Sequence, residues 1–172
     1  MAGVDALDLC RWGMSIGNLT GLFYWKTFLY SLRKESAVYA YIPERLPELP
    51  WAWLWVGKYL ICLAFSGCLA VYFNALFPGA LLAFPFLFYA FELPLVFFFP
   101  AVLETGNIWS AGQLSVKTAQ RMGWFRLYVC LLPLGFRMAW SLVLSQHPET
   151  DWQSGCKKVF EWYGNSRITN RA

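Results

Sequence analysis

The longest uncharged stretch of the chain limits its fold more than any other feature. Residues 59–91 carry no charged side chain, and Glu92 is the first charge to follow. Inside the stretch, a Phe-Pro-Gly sequence at 77–79 ends one helix and turns the chain. The stretch and its apolar flanks are about twice as long as the ~20 residues that cross a bilayer once. They predict two membrane helices, 51–77 and 80–103, joined by a tight hairpin. Pro85, Pro94 and Pro100 should kink and interrupt the second of these helices.

The composition also favours a bilayer as the solvent. The chain has 172 residues, of which 58% are hydrophobic and 14% charged, whereas a soluble domain has roughly 25% charged residues. The mean hydropathy is +0.42. Aromatic residues make up 20% of the chain. Trp51, Trp53 and Trp55 lie at the start of the segment 51–77, as is typical of a membrane interface. Most basic residues flank apolar segments and form no stripe, so nucleic acid is not an expected partner.

Two further segments, 7–32 and 124–144, are weaker candidates for membrane helices. They are weaker because they contain charged residues: Arg11 and Lys26 lie in 7–32, and Arg137 lies well inside 124–144. Long basic side chains can, however, reach the membrane interface from a buried backbone. We therefore expect an all-α, polytopic integral membrane protein with about four transmembrane helices, forming a single membrane domain over residues 1–172. The alternative is one deep hairpin flanked by two interfacial helices.

Small residues form a stripe in the first segment. Gly13, Gly17 and Gly21 recur at four-residue spacing, and Asn18 lies beside them. On a helix, this spacing puts the glycines on one face, where another backbone can approach closely in lipid. The stripe predicts a helix-packing face, to which Asn18 adds a hydrogen bond. The neighbour is either a helix of this chain or another subunit, and the alternative is an interfacial helix.

The C-terminal tail has the pattern of an amphipathic helix over 151–163. Its apolar residues recur at helical spacing and form one face, made of Trp152, Cys156, Val159, Phe160 and Tyr163. Lys157, Lys158 and Glu161 fall elsewhere on the helix. Such a helix is expected to lie on lipid headgroups or on a partner subunit.

If Glu92 lies in a bilayer, it needs a charged partner or a proton, because a lone carboxylate in hydrocarbon costs at least ~2.5–3.5 kcal/mol. If segments 80–103 and 124–144 both cross the membrane, the end of the first and the start of the second lie on the same side, which carries the basic residues of 117–126. Glu92 lies eleven residues from that side, counted to Leu103, and Arg137 lies thirteen residues from it, counted to Trp124. At ~1.5 Å per residue these depths differ by about 3 Å. Arg137 is therefore the expected partner of Glu92. Lys58 lies nearer than Glu92 to the membrane surface that carries the basic residues, and its side chain can reach water there.

This intramembrane ion pair has several possible roles. The simplest is structural, in which the pair fastens two helices together. A carboxylate and an arginine in a wet cavity are also parts of a proton or ion path. The remaining alternatives are a protonated Glu92, or a Glu92 that faces another subunit or a lipid headgroup.

Motifs for catalysis or metal binding are missing from the sequence. The cysteines form no CxxC pair, and His147 is the one histidine, which gives no ligand cluster for zinc, copper or bis-histidine haem. There is no phosphate loop, no dinucleotide-binding glycine motif and no HExxH. We expect no catalytic residues, no metal and no cofactor, although bound lipids are compatible with the sequence.

These features predict a non-catalytic accessory subunit that stabilises helix packing and assembly in a larger membrane complex. Energy-converting complexes, such as respiratory complexes or an ATP synthase, contain many small chains of this kind. The mitochondrial inner membrane is therefore favoured over a bacterial inner membrane. Two alternatives stay open: a small proton or ion transporter or channel component that uses Glu92 and Arg137, and a membrane-shaping hairpin protein.

Overall fold

The computed structural model of the chain describes residues 22–46, 48–144 and 148–169, and every regular element in these ranges is helical. This confirms the predicted all-α class for the described part of the chain. The predicted packing face at Gly13, Gly17, Asn18 and Gly21 lies outside the described residues. The α-helices are α1 Leu22–Glu35, α2 Trp51–Leu76, α3 Phe84–Glu92, α4 Phe98–Thr105, α5 Ile108–Met122, α6 Trp124–Leu144 and α7 Pro148–Thr169. Short 3₁₀ turns occur at Ala37–Tyr39, Ala80–Ala83 and Leu93–Leu95.

The central hairpin consists of α2 and the chain that returns along it. Pro50 precedes α2, and Phe77 leaves the helix in an extended conformation. Gly79 then takes a φ of 94°, in the left-handed region that a residue without Cβ enters freely. Its N–H donates a hydrogen bond to the side chain of Asn74, at 3.1 Å. The turn sends α3 back against α2.

The returning arm is broken rather than continuous, as its prolines predict. Pro94 lies in the 3₁₀ turn between α3 and α4, because proline disrupts the regular ladder of helical hydrogen bonds. Ser115 of α5 donates its hydroxyl to the carbonyl oxygen of Pro94, at 2.7 Å. A neighbouring helix thus binds a carbonyl that lipid could not satisfy.

The second half of this arm is the centre of the fold. Residues 96–103 are all buried, and Phe97, Ala101 and Val102 have no exposed surface. Gly106 ends α4 with a φ of 65°, and the Asn107 side chain caps α5 by accepting from the N–H groups of residues 109 and 110. Helix α5 therefore folds straight back onto α4 and covers it.

Two stretches of the described chain are long and apolar enough to cross a membrane. They are Trp53–Leu76 and Leu81–Thr105, with mean hydropathies of 1.8 and 2.0. They differ in burial: within the described residues, 61% of the apolar 18-residue window is buried in the second stretch but only 17% in the first. The two arms of the central hairpin therefore meet the length and composition criterion for membrane helices, and the prediction of about four spans is not confirmed. Helix α6 occupies the predicted fourth segment without meeting the same criterion.

The last two helices close the fold around the arm. Helix α6 packs on α3, and α7 packs on α6 and on the Ala37–Tyr39 turn. Two glycines of α7 allow this close approach. A Cβ at Gly155 would overlap the Met138 side chain, and a Cβ at Gly164 would overlap the Val38 carbonyl oxygen.

A buried ion pair in an apolar pocket

The charged side chains of α2 and α3 meet inside the protein. The Lys58 ammonium donates to a Glu92 carboxylate oxygen at 2.7 Å, and the two side chains are only 5% and 9% exposed. Helix α2 supplies the lysine from its third turn, and α3 ends at the glutamate, beside the break at Pro94. The pair therefore ties the two arms of the hairpin together at the point where the returning arm is interrupted.

The predicted partnership of Glu92 with Arg137 is wrong. The structure pairs Glu92 with Lys58 and leaves Arg137 exposed on α6. The depth comparison assumed two straight helices that both cross the bilayer, but the arm is broken after Glu92. Lys58 can reach Glu92 because its long, flexible side chain carries the ammonium away from the backbone of α2.

Aromatic rings surround the ion pair. The Lys58 nitrogen lies 4.8 Å from the ring centre of Tyr59 and 5.6 Å from that of Phe99. Trp55 stacks on Phe99 with ring centres 4.0 Å apart. Ring faces attract a cation, so the ammonium is held by one carboxylate and by the negative faces of its neighbours.

A cavity of about 570 Å³ lies against this ion pair. It runs between α2, α3, α4, α6 and α7, and its walls are mainly apolar. They include Trp55, Val56, Tyr59, Leu60, Leu63, Phe88, Tyr89, Val96, Phe99, Leu131, Leu134, Met138, Trp152, Cys156, Val159 and Phe160. Lys58 and Glu92 also line it and supply its two charged groups. The volume falls within the range of roughly 300–1,000 Å³ that small-molecule pockets occupy.

The predicted apolar face of the tail helix turns inward. Trp152, Cys156, Val159 and Phe160 line the cavity, and Tyr163 is fully buried beside Phe97. The expectation that this face lies on headgroups or on a partner subunit is therefore corrected. Helix spacing identified the face but could not show what covers it, and the covering surface comes from the chain's own hairpin and α6.

A second polar cluster, which the sequence reading missed, fixes the end of α7. The Tyr163 hydroxyl donates to a Glu104 oxygen at 2.5 Å, and Arg167 forms an ion pair with the other oxygen. Tyr41 donates to the Phe160 carbonyl oxygen at 3.1 Å and packs edge-on against Tyr163. Burial and the hydrogen bond to Glu104 raise the pKa of Tyr163. Only the four-residue spacing of Tyr163 and Arg167 was visible locally, and it carries no information about Glu104.

The pocket holds no activated nucleophile among the described side chains. Cys156 is the thiol that lines it, and burial raises the pKa of that thiol to about 12, while the smaller effects of Lys58 and Glu92 oppose each other. A thiol with such a pKa is almost fully protonated at neutral pH and reacts slowly. The Lys58 ammonium is held in the ion pair. Within residues 22–46, 48–144 and 148–169, no three His, Cys, Asp or Glu side chains are grouped as metal ligands.

Comparisons with protein families, with curated proteins and with solved structures found no match to this chain. The described residues form a helical protein with an apolar hairpin, a buried ion pair and a mainly apolar cavity.

Proposed function

We propose that the chain is a non-catalytic accessory subunit that stabilises helix packing in a larger membrane complex. One observation carries the proposal: α2 is long and apolar enough to span a bilayer, yet only 17% of its apolar 18-residue window is buried in the part of the chain that the structure describes. A core helix of a soluble protein passes the same length and hydropathy test, but it is covered by its own fold. An uncovered helix of this kind needs lipid or another membrane helix around it.

The exposed face of α2 also has the shape that helix partners use in membranes. Ala64, Cys68 and Ala75 are small and exposed, and they recur with Val71 on one face. Small residues let two backbones come close in lipid, where packing rather than hydrophobicity drives association. We place the partner helix on this face, between residues 64 and 75.

The proposal keeps segments 7–32 and 124–144 as further spans. Helix α6 has 21 residues, which at 1.5 Å each reach about 31 Å, close to the thickness of a bilayer core. Phe125, Val129 and Phe136 are exposed on it, which suits contact with lipid. The proposed location is the mitochondrial inner membrane, ahead of a bacterial inner membrane, because its energy-converting complexes hold many accessory chains.

The two alternatives have weaker support. Ion transport through Glu92 and Arg137 needs one polar cavity that reaches both residues, whereas the observed cavity is mainly apolar and Arg137 is not among its lining residues. A membrane-shaping hairpin needs the flanking segments to lie flat on the membrane. Helix α6 instead packs on α3 inside the fold, where Tyr128 donates to the Phe86 carbonyl oxygen at 2.9 Å.

The test is purification of the tagged chain from its native membrane in a mild detergent. We expect other membrane chains at a fixed ratio to it. Ala75→Leu adds bulk to the proposed contact face and should lower their recovery, whereas Ala90→Leu, the same change at an exposed site on α3, should leave it unchanged. A single monodisperse chain, with Cys10 crosslinking to Cys68, would instead assign the face to the chain's own first segment.

A further inference from the structure

The cavity has an inner end and a mouth with different chemistry. At the inner end are the two charged groups, Lys58 and Glu92, whose side chains are more than nine-tenths buried. At the mouth are Val56, Leu60 and Leu63, which line the cavity and are also exposed on α2. The cavity therefore opens sideways, through the uncovered face of the helix that is proposed to lie in the membrane.

The walls select a molecule with a long apolar part. Leucine, valine, methionine and aromatic side chains surround almost all of the volume, so a polar chain would lose its hydration without compensation. An apolar tail loses nothing by moving from lipid into such walls. The sideways mouth gives a lipid-dissolved molecule a path that does not pass through water.

The charged pair at the inner end of the cavity determines which headgroup the bound molecule can have. The positive and negative charges of Lys58 and Glu92 balance each other, so a charged headgroup would be buried without a counter-charge. A lysine ammonium has three N–H donors, and Glu92 accepts from one of them. A neutral group with a hydrogen-bond acceptor, such as a carbonyl oxygen, can accept from another.

We propose that this cavity binds a neutral amphiphile, with a carbonyl-bearing head at Lys58 and Glu92 and a long apolar tail that leaves between Val56, Leu60 and Leu63. Two kinds of lipid have this chemistry: an ester of glycerol without a charged headgroup, and a quinone with an isoprenoid tail. The site requires the membrane setting of the proposed function but not the assembly with other subunits. It can therefore be tested on the isolated full-length chain.

The experiment is photo-crosslinking of the full chain, reconstituted in phosphatidylcholine bilayers, with three probes that carry the same diazirine-labelled tail. One is a monoacylglycerol, one an alkyl benzoquinone and one the plain hydrocarbon. We expect crosslinks to cavity residues from a carbonyl probe at about tenfold higher occupancy than from the hydrocarbon, the effect of one hydrogen bond from a charged donor. The ester and quinone probes distinguish the two sources.

Two variants locate the binding. Val159→Phe adds bulk to the cavity wall and should lower crosslinking, whereas Val129→Phe, the same change at an exposed site on α6 outside the lining, should not. The double variant Lys58→Met/Glu92→Leu replaces the pair by apolar groups of similar size. It should still bind the tails but lose the preference for a carbonyl.

Four results would overturn the proposal: equal crosslinking of the wild type and Val159→Phe, crosslinks spread over the outer faces of α2 and α6, no preference of the wild type for a carbonyl probe, or the same preference in the double variant. If a variant unfolds, the proposal is judged from the crosslinked positions in the wild type alone. None of these results depends on whether partner chains copurify, so the binding site and the proposed function fail separately.

Discussion

The Lys58 ammonium and a Glu92 carboxylate oxygen are 2.7 Å apart, in a region where both side chains are more than nine-tenths buried. Each charge on its own would be costly to bury, and each is tolerated because the other is there. The contact joins residues 34 positions apart in the chain and fastens the two arms of the apolar hairpin together. The hairpin should therefore be stable when both charges are present or both are absent, and less stable when only one of them remains.

Removal of one charge should destabilise the fold more than removal of both. Glu92→Gln or Lys58→Met leaves an unpaired buried charge and should cost about 3–5 kcal/mol, whereas Lys58→Met/Glu92→Leu should be roughly neutral. Thermal unfolding in detergent measures the difference. Glu44→Gln is the control, since it breaks an ion pair with Arg33 in which Glu44 is 88% exposed, and it should cost at most about 1 kcal/mol. A double variant as unstable as either single variant would contradict the structural role of the pair.

Gly164→Ala should destabilise the docking of α7. A Cβ there would overlap the Val38 carbonyl oxygen, which belongs to the backbone and cannot move aside cheaply. We expect a cost of about 1–3 kcal/mol in thermal unfolding, as for overpacking in a core. Gly112→Ala is the matched control, because a Cβ at that position of α5 meets nothing within 4 Å. It should be neutral or slightly stabilising, and equal effects of the two substitutions would contradict the close approach.

Tyr163→Phe should change both the stability and its pH dependence. The hydroxyl donates to Glu104, so its loss should cost about 1–3 kcal/mol at pH 7. Burial and this hydrogen bond raise the pKa of Tyr163 in the folded chain. The stabilisation is therefore fully present below the ordinary tyrosine pKa of about 10, and it is lost as the pH rises above that value.

The measurement is the thermal midpoint in detergent between pH 7 and pH 11. The wild type should lose stability more steeply above pH 10 than Tyr163→Phe, which has no phenol at this position to ionise. Tyr30→Phe, at an exposed site on α1, should follow the wild type. Parallel wild-type and Tyr163→Phe curves would show that this hydroxyl is not tied to Glu104.

Whether α6 crosses the membrane can be read from Cys130, which is exposed on that helix. If α6 lies in lipid, a charged maleimide should fail to label Cys130 in permeabilised membranes and should label it after unfolding in SDS. Lys117→Cys, at an exposed site on α5, should react in the intact preparation and serves as the control. Rapid labelling of Cys130 before unfolding would contradict a fourth span. The buried Cys156 cannot report on this question.

The sequence was most informative where one local signal decides the structure. The uncharged run and the Phe-Pro-Gly turn led to the hairpin, and Pro94 led to the break in its returning arm. Periodicity also identified the apolar face of α7. These features depend on residues close together in the chain, whose effect on the backbone does not need the rest of the fold.

Partners that are distant in the chain could not be derived in the same way. Glu92 was assigned to Arg137 because straight helices were assumed, and the break after Glu92 removed the basis of that comparison. The contact of Glu104 with Tyr163 spans 59 positions and has no local signature. The cavity is likewise a product of five helices meeting, and no single segment contains a sign of it.

The central claim is that the exposed face of α2 lies in a membrane and not in water. Cys68 in the middle of that face is a native reporter, and it should meet lipid when the bilayer contains this chain alone, without partner subunits. The measurement is the collision rate of a spin label at Cys68, with the other four cysteines replaced, in reconstituted bilayers. Oxygen, which concentrates in lipid, should relax the label more strongly than a water-soluble nickel complex does. Stronger relaxation by the nickel complex would place this face in water and contradict the account.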